Sequence, residues 1–211
     1  MSIGGNMVNN FATNAFLGGT STVTFNGTTL QSINGSFATN FNNLTISNTG
    51  DTVLLGTNVV ISGNLTVSSG TLDIAGFSIN RYNPGGVLTV SNNAMLRIGG
   101  TNTFPINYSI NTLVVASTVE YYGTNQTVAS QTYGNLKMTS SSGAAVKTLP
   151  VVALTITGNL ITALGTGSAV SITATSTVNV NGNVFIGTST TFNGGGSFDT
   201  IGGNWTNNGV L

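Results

Sequence analysis

The sequence predicts an all-β fold, a parallel β-solenoid with coils of about 21–25 residues. Three observations carry that prediction. A corner motif ending in Gly-Asn or Gly-Gly-Asn keeps returning. Short apolar-polar-apolar triplets with strand periodicity stand between the corners. One triplet pair and its flanks repeat about 23 residues apart, and a longer pattern repeats over roughly 95 residues. Short strands separated by turns also suit an antiparallel β-sandwich, which is the alternative architecture.

The corners come first. They stand at Ile3-Gly4-Gly5-Asn6, Ile61-Ser62-Gly63-Asn64, Ile156-Thr157-Gly158-Asn159, Val180-Asn181-Gly182-Asn183 and Ile201-Gly202-Gly203-Asn204. Gly and Asn both tolerate the left-handed backbone that tight corners use. If the corners stack, Asn6, Asn64, Asn159, Asn183 and Asn204 are expected to form an amide ladder. The first copy begins at residue 3 and the last ends at residue 204, so residues 1–211 are read as a single solenoid segment cut from a longer array.

The triplets supply the strands. They include Leu44-Thr45-Ile46, Leu65-Thr66-Val67, Leu72-Asp73-Ile74, Leu88-Thr89-Val90, Leu96-Arg97-Ile98 and Leu136-Lys137-Met138. Period two puts the outer members on one face and the middle one on the other. No stretch has helical periodicity. A single coil cannot bury its apolar face, but stacked coils join those faces into one core. At a coil spacing of about 4.8 Å, some nine coils would make a rod roughly 40–45 Å long.

The repeats set the register. Leu65-Thr66-Val67 through Leu72-Asp73-Ile74 returns as Leu88-Thr89-Val90 through Leu96-Arg97-Ile98. Asp73 and Arg97 are therefore expected to stack on adjacent coils as an exposed, outward ion pair worth at most about 1 kcal/mol. In the long repeat, Ser21–Thr28 returns as Ser117–Thr124, and Phe41-Asn42-Asn43-Leu44-Thr45-Ile46 returns as Tyr133-Gly134-Asn135-Leu136-Lys137-Met138. Tyr121 then takes the place of Phe25 and Tyr133 that of Phe41, so both are expected in the core. Trp205 follows a corner where Leu65, Leu160 and Val184 stand in other copies, and is expected to face inward.

Composition narrows the chemistry. Hydrophobic residues make up 39% of the chain, enough for a sizeable core, whereas charged residues are only 4%. The four acidic and four basic side chains balance, so the surface has no field to steer a nucleic acid or an anionic membrane. Cys and His are both absent, which removes thiolate ligands and the commonest general base. No apolar run reaches the length of a membrane-spanning helix. Of Asp51, Asp73, Glu120 and Asp199, coil counting puts Asp51 and Asp73 one coil apart, at most a weak carboxylate pair, and Asn193-Gly194-Gly195-Gly196-Ser197 lacks the Lys and helix of a phosphate loop, so it reads as a corner or loop. The chain is read as non-enzymatic, with no cofactor and no metal site.

Two binding readings stay open. Aromatic side chains stack on sugars. Of Tyr82, Tyr108, Tyr121, Tyr122, Tyr133 and Trp205, Tyr122 aligns with Asn26 and is the exposed candidate. Ice-binding solenoids use flat ranks of Thr. Thr-x-Thr pairs occur at Thr22/Thr24, Thr101/Thr103, Thr155/Thr157 and Thr173/Thr175, but not at one fixed place in successive copies.

Three stretches carry a family resemblance: Gly202-Gly203-Asn204-Trp205-Thr206-Asn207-Asn208-Gly209, Thr22-Val23-Thr24-Phe25-Asn26-Gly27-Thr28-Thr29 and Phe41-Asn42-Asn43-Leu44-Thr45-Ile46. They resemble the repeat regions of very large Bacteroidota surface and adhesin proteins, many exported by the type IX secretion system. That resemblance implies an extracellular, cell-surface location and a structural stalk, filament or adhesin segment. Its partners would be flanking repeats, end-to-end copies of itself, or surface polysaccharide. The same group carries O-glycans at Asp-Ser/Thr-apolar triplets. By that resemblance Thr52, in Asp51-Thr52-Val53, and Thr200, in Asp199-Thr200-Ile201, are candidate glycosylation sites.

Overall fold

The computed structural model describes residues 1–12, 19–163, 168–194 and 197–211; Gly195 and Gly196 of the glycine-rich stretch lie outside the described residues. The chain is a parallel β-solenoid, and no α-helix occurs among the described residues. It divides into two compact units. One comprises Met1–Arg97 with Pro105–Val114, and the other Ile98–Phe104 with Val115–Leu211.

In the first unit the strands lie on three sides of the coil. On one side Ser2–Ile3, Thr22–Phe25, Asn43–Leu55 and Leu65–Asp73 pair in sequence order, all parallel. The last two are long because they turn a corner without breaking, and the register shifts between Ile46 and Ser47 and again before Thr52. Before that corner, Leu65-Thr66-Val67 pairs with Leu88-Thr89-Val90, which pairs with Asn111-Thr112-Leu113. Beyond it, Val53–Leu55 pairs with Gln31–Ile33, and Thr71–Asp73 with Met95–Arg97. Thr39–Phe41, Val59–Ile61 and Ile79–Arg81 make the third side.

The second unit repeats the plan. Thr118–Tyr121, Asn135–Met138, Leu160–Thr162, Val184–Ile186 and Trp205–Asn207 form one side. Gln126–Thr127, Ala145–Thr148, Val170–Thr173 and Thr190–Asn193 form the second. Thr132–Tyr133, Leu154–Ile156, Val178–Val180 and Phe198–Ile201 form the third.

Register follows from which side chains must be dry. Val23, Leu44, Leu65 and Leu88 stack inward, 21, 21 and 23 residues apart. Leu136, Leu160 and Val184 do the same at steps of 24. All seven are buried. The step falls to 17 between Val119 and Leu136, where two of the three strands in the coil are only two residues long.

The long repeat reappears in the cores. Phe25 and Phe41 meet edge-on, with ring centroids 6.4 Å apart. Tyr121 and Tyr133 meet in the same way at 6.5 Å, and their hydroxyls lie 2.9 Å apart. Two buried hydroxyls need further partners, and the Ala129 backbone supplies both. Its N–H donates to Tyr121 and its carbonyl accepts from Tyr133. Burial pushes the Tyr121 phenol up to about 12, against the opposing effect of its hydrogen bonds, and also drives Tyr133 well above the ordinary value.

Candidate functional site

The corner asparagines do not stack amide on amide as a rule. Instead the Oδ1 in one coil accepts a backbone N–H of the next. In the second unit Asn135 accepts from Asn159, Asn159 from Asn183 and Asn183 from Asn204, at 2.7–2.8 Å. A side-chain rung accompanies one of these, from Asn159 Nδ2 to Asn135 Oδ1 at 3.1 Å. In the first unit Asn43 accepts from Asn64, and Asn64 from Val87. The strand ladder is interrupted at a corner, and the amide side chain satisfies the donor left over there. Asn6 stands outside this column: it accepts from Ser32, beside the pairing of Met7 with Ile33. Asn10, Asn58, Asn80 and Asn125 do the same at further corners, for Ser36, Ser78, Ile106 and Val146. The corner motif does not mark Asn43, which no Gly precedes, or Asn135, where Thr132 stands in place of the motif's leading Ile or Val.

The corner glycines also have a different reason from the one expected. None of Gly63, Gly158, Gly182 and Gly203 has positive φ. What excludes a side chain is close approach. A Cβ on Gly158 would lie 2.5 Å from Asn135 Oδ1, and one on Gly203 the same distance from Asn183 Oδ1. The Asn amide of one coil occupies the space of the missing side chain in the next, so Gly and Asn form one unit across coils rather than along the chain.

Asp73 and Arg97 stand opposite each other in adjacent strands, with Nη1 2.8 Å from Oδ2. The pair is not the exposed one expected from the sequence. Asp73 is only 5% exposed, and its other oxygen accepts the N–H of Ala75, a non-glycine residue at φ +47°. The bend after Asp73 folds its carboxylate under the corner. A second ion pair joins Glu120 to Lys137 at 3.1 Å, in register, with the Thr139 hydroxyl also donating to Glu120. In the long repeat these two replace Thr24 and Thr45, so a hydroxyl pair has become a charge pair at the same rung.

Each unit also buries a glutamine staple that sequence patterning missed. Gln31 Oε1 accepts the N–H of Gly27, and its Nε2 donates to the carbonyls of Ile3 and Gly5 in the preceding coil. Gln126 does likewise, with Gly123 N–H and the carbonyls of Ile98 and Asn102. In both, a donor from the following coil reaches the glutamine oxygen. It is Asn48 Nδ2 at 3.1 Å in the first unit and Lys147 Nζ at 2.6 Å in the second. Lys147 is fully buried and also donates to the carbonyls of Gly123 and Thr124. Desolvation lowers its ammonium to about 8, although the Glu120 charge acts in the opposite sense.

The outer faces carry the binding candidates. In the first unit Ser2, Thr24, Thr45, Thr66, Thr89 and Thr112 stand in one rank, each in register with the next. This rank uses one Thr per coil, and of its members only Thr24 stands in a Thr-x-Thr pair named above. In the second unit Asn159, Leu160, Ile161, Asn183 and Phe185 line a shallow, mostly apolar groove of about 350 Å³. Tyr122 is half-buried, whereas Tyr82 is 72% exposed. Tyr108 is buried, with its hydroxyl on the Ile79 carbonyl. Trp205 shares the register of Val184 yet is 37% exposed, packed edge-on against Phe198. Thr200 is exposed with its hydroxyl on Asn179 Oδ1, and Thr52 is half-buried with its N–H on Asp51 Oδ1. Among the described residues, no group of three Asp or Glu side chains converges on a point that could hold a metal ion.

No family model, no curated protein and no solved structure matches this chain.

Proposed function

We propose that this chain is a structural segment of a secreted, cell-surface repeat protein: a non-catalytic stalk, filament or adhesin section whose work is mechanical. One observation supports this reading above the rest. The corners, where a solenoid's strand ladder is weakest, are bridged coil by coil through asparagine side chains, as in the run Asn135, Asn159, Asn183, Asn204. A load along the stack would be shared by backbone rungs and by these side-chain rungs together. The neutral Thr, Ser and Asn exterior suits a spacer that must not bind indiscriminately. Neighbouring repeats of the same protein, or further copies stacked end to end, are its natural partners.

Single-molecule pulling on the chain, tethered at both ends, tests the reading. Stepwise unfolding at high force supports it. Smooth extension at low force contradicts it.

The groove at Ile161 and Phe185 favours a second reading, a carbohydrate-binding β-helix module. An aromatic ring there is flanked by the Asn159 and Asn183 amides, the pairing of apolar platform and polar rim that sugars use. A glycan array with the wild-type chain and Phe185→Ala checks it. Binding that the substitution abolishes supports this reading, and an array without hits rejects it.

A further inference from the structure

The asparagines that line the groove at Ile161 and Phe185 also belong to the corner ladder, and the ladder decides which half of each amide a ligand can use. Asn159 precedes Ile161 by two residues, and Asn183 precedes Phe185 by two, with buried Leu160 and Val184 between them. Period two therefore puts each amide on the outer face with its apolar neighbour. Ile161 pairs with Phe185, so two apolar side chains stand side by side and two amides flank them.

The ladder consumes the oxygens. Asn159 Oδ1 accepts the Asn183 N–H at 2.8 Å, and Asn183 Oδ1 that of Asn204 at 2.7 Å. Both oxygens lie against a corner glycine of the next coil. A Cβ on Gly182 would come within 2.7 Å of the first, and one on Gly203 within 2.5 Å of the second. What is left for a ligand is nitrogen. Asn159 Nδ2 gives one of its two protons to Asn135 Oδ1 and keeps the other, and Asn183 Nδ2 keeps both among the described residues. The polar side chains of the groove act there as donors, and they are neutral. The cation next in the rank, Lys137, pairs in register with Ile161 and is already held by Glu120 at 3.1 Å. A carboxylate or sulfate sugar would bring an uncompensated charge to this rim. An acetamido group brings none: its carbonyl accepts from an amide N–H, and its methyl packs on an apolar side chain.

We propose that this groove takes N-acetylated sugars, with an acetamido carbonyl on Asn183 Nδ2 and the methyl and pyranose face on Phe185 and Ile161. The inference rests on the carbohydrate-binding reading of the same groove and names its substrate class.

Isothermal titration calorimetry of the full chain with three tetrasaccharides tests it. They are tetra-N-acetylchitotetraose, cellotetraose, which has hydroxyls in place of the acetamido groups, and tetragalacturonate. The N-acetylated probe is expected to bind about tenfold more tightly than cellotetraose, the worth of one well-made hydrogen bond. Tetragalacturonate should bind no more tightly than cellotetraose. Asn183→Asp keeps an oxygen for the Asn204 N–H but turns the donor into an acceptor. It should lose the preference for the N-acetylated probe, leave cellotetraose binding unchanged and keep the circular dichroism of the wild type. The comparison of probes on the wild type stands whether or not that variant folds. Equal binding of the N-acetylated probe and cellotetraose, lost alike in Phe185→Ala, overturns the inference and leaves the carbohydrate reading standing. Tightest binding of tetragalacturonate does the same. If none of the three binds, the carbohydrate reading falls and the inference with it.

Discussion

Asn159 holds Asn183 from one coil away: its Oδ1 accepts the Asn183 backbone N–H at 2.8 Å, while its own N–H is held in the same manner by Asn135. The relation is directional. Each asparagine serves the coil that follows it, and the glycine before the served residue leaves room for the amide. Removing the amide should therefore cost less than filling the room.

Asn159→Ala frees a donor on the exposed Asn183, which water can serve, so the expected loss is about 1 kcal/mol. Gly158→Ala drives a Cβ to 2.8 Å from the Val115 carbonyl and 2.9 Å from that of Gly134, besides the Asn135 amide. Backbone has to move, and the expected loss is about 2–3 kcal/mol. Urea unfolding of the two variants checks the order. An Asn159→Ala chain less stable than Gly158→Ala would contradict it.

The ion pair of Asp73 with Arg97 should behave as a half-buried one. Arg97→Met strands a buried carboxylate and is expected to cost about 1–3 kcal/mol, the range being reduced because the Arg97 side chain is about a third exposed. Asp73→Asn keeps an oxygen for the Ala75 N–H and costs less. The double variant should recover part of the Arg97→Met loss. A double-mutant cycle by denaturant unfolding measures the coupling, and strict additivity would show that the pair contributes nothing.

Much of this fold could be read in the sequence because each of its rules is local and repeated. Leu65 and Leu88, or Asp73 and Arg97, occupy matching places in two copies, and the pairing follows from the offset. What escaped reading depends on contacts between coils that no single copy shows. The depth of Asp73 is set by the corner after it, and the glycine requirement at Gly158 by an amide 23 residues earlier. Lys147 is the sharpest case. In Ala145-Val146-Lys147-Thr148 alternation alone does not decide which face is inward, and the stack containing Gln126 fixes the register that takes the lysine inward.

Gln31 should be among the most sensitive polar positions in the first unit. Gln31→Leu removes the partner of the Gly27 N–H, of the Ile3 and Gly5 carbonyls and of the Asn48 amide, in a place without solvent. Loss of several buried hydrogen bonds at about 1 kcal/mol or more each gives an expected cost of about 3–4 kcal/mol. Gln31→Glu, which turns a carboxylate oxygen onto the Ile3 and Gly5 carbonyls in a buried place, should cost at least as much. Thermal unfolding of both variants against wild type decides, and a Gln31→Leu chain as stable as wild type would show that the staple is dispensable.

Alkali should unfold the second unit through its tyrosine pair. Tyr121 and Tyr133 are held protonated in the fold by burial, the former up to about 12, whereas an unfolded phenol ionises near 10. Between those values the native state binds more protons than the unfolded chain, so stability falls as pH rises. Below pH about 10 the contribution is fully present. Tyr121→Phe together with Tyr133→Phe should flatten this fall, leaving the Ala129 N–H and carbonyl without their partners and so lowering stability at neutral pH. Tyrosinate absorbance and circular dichroism, followed together during an alkaline titration, check the coupling. In the wild type the late tyrosinate signal should appear with loss of β-structure. Ionisation of Tyr121 and Tyr133 in a chain that keeps its β-structure would show that their burial does not link the fold to pH.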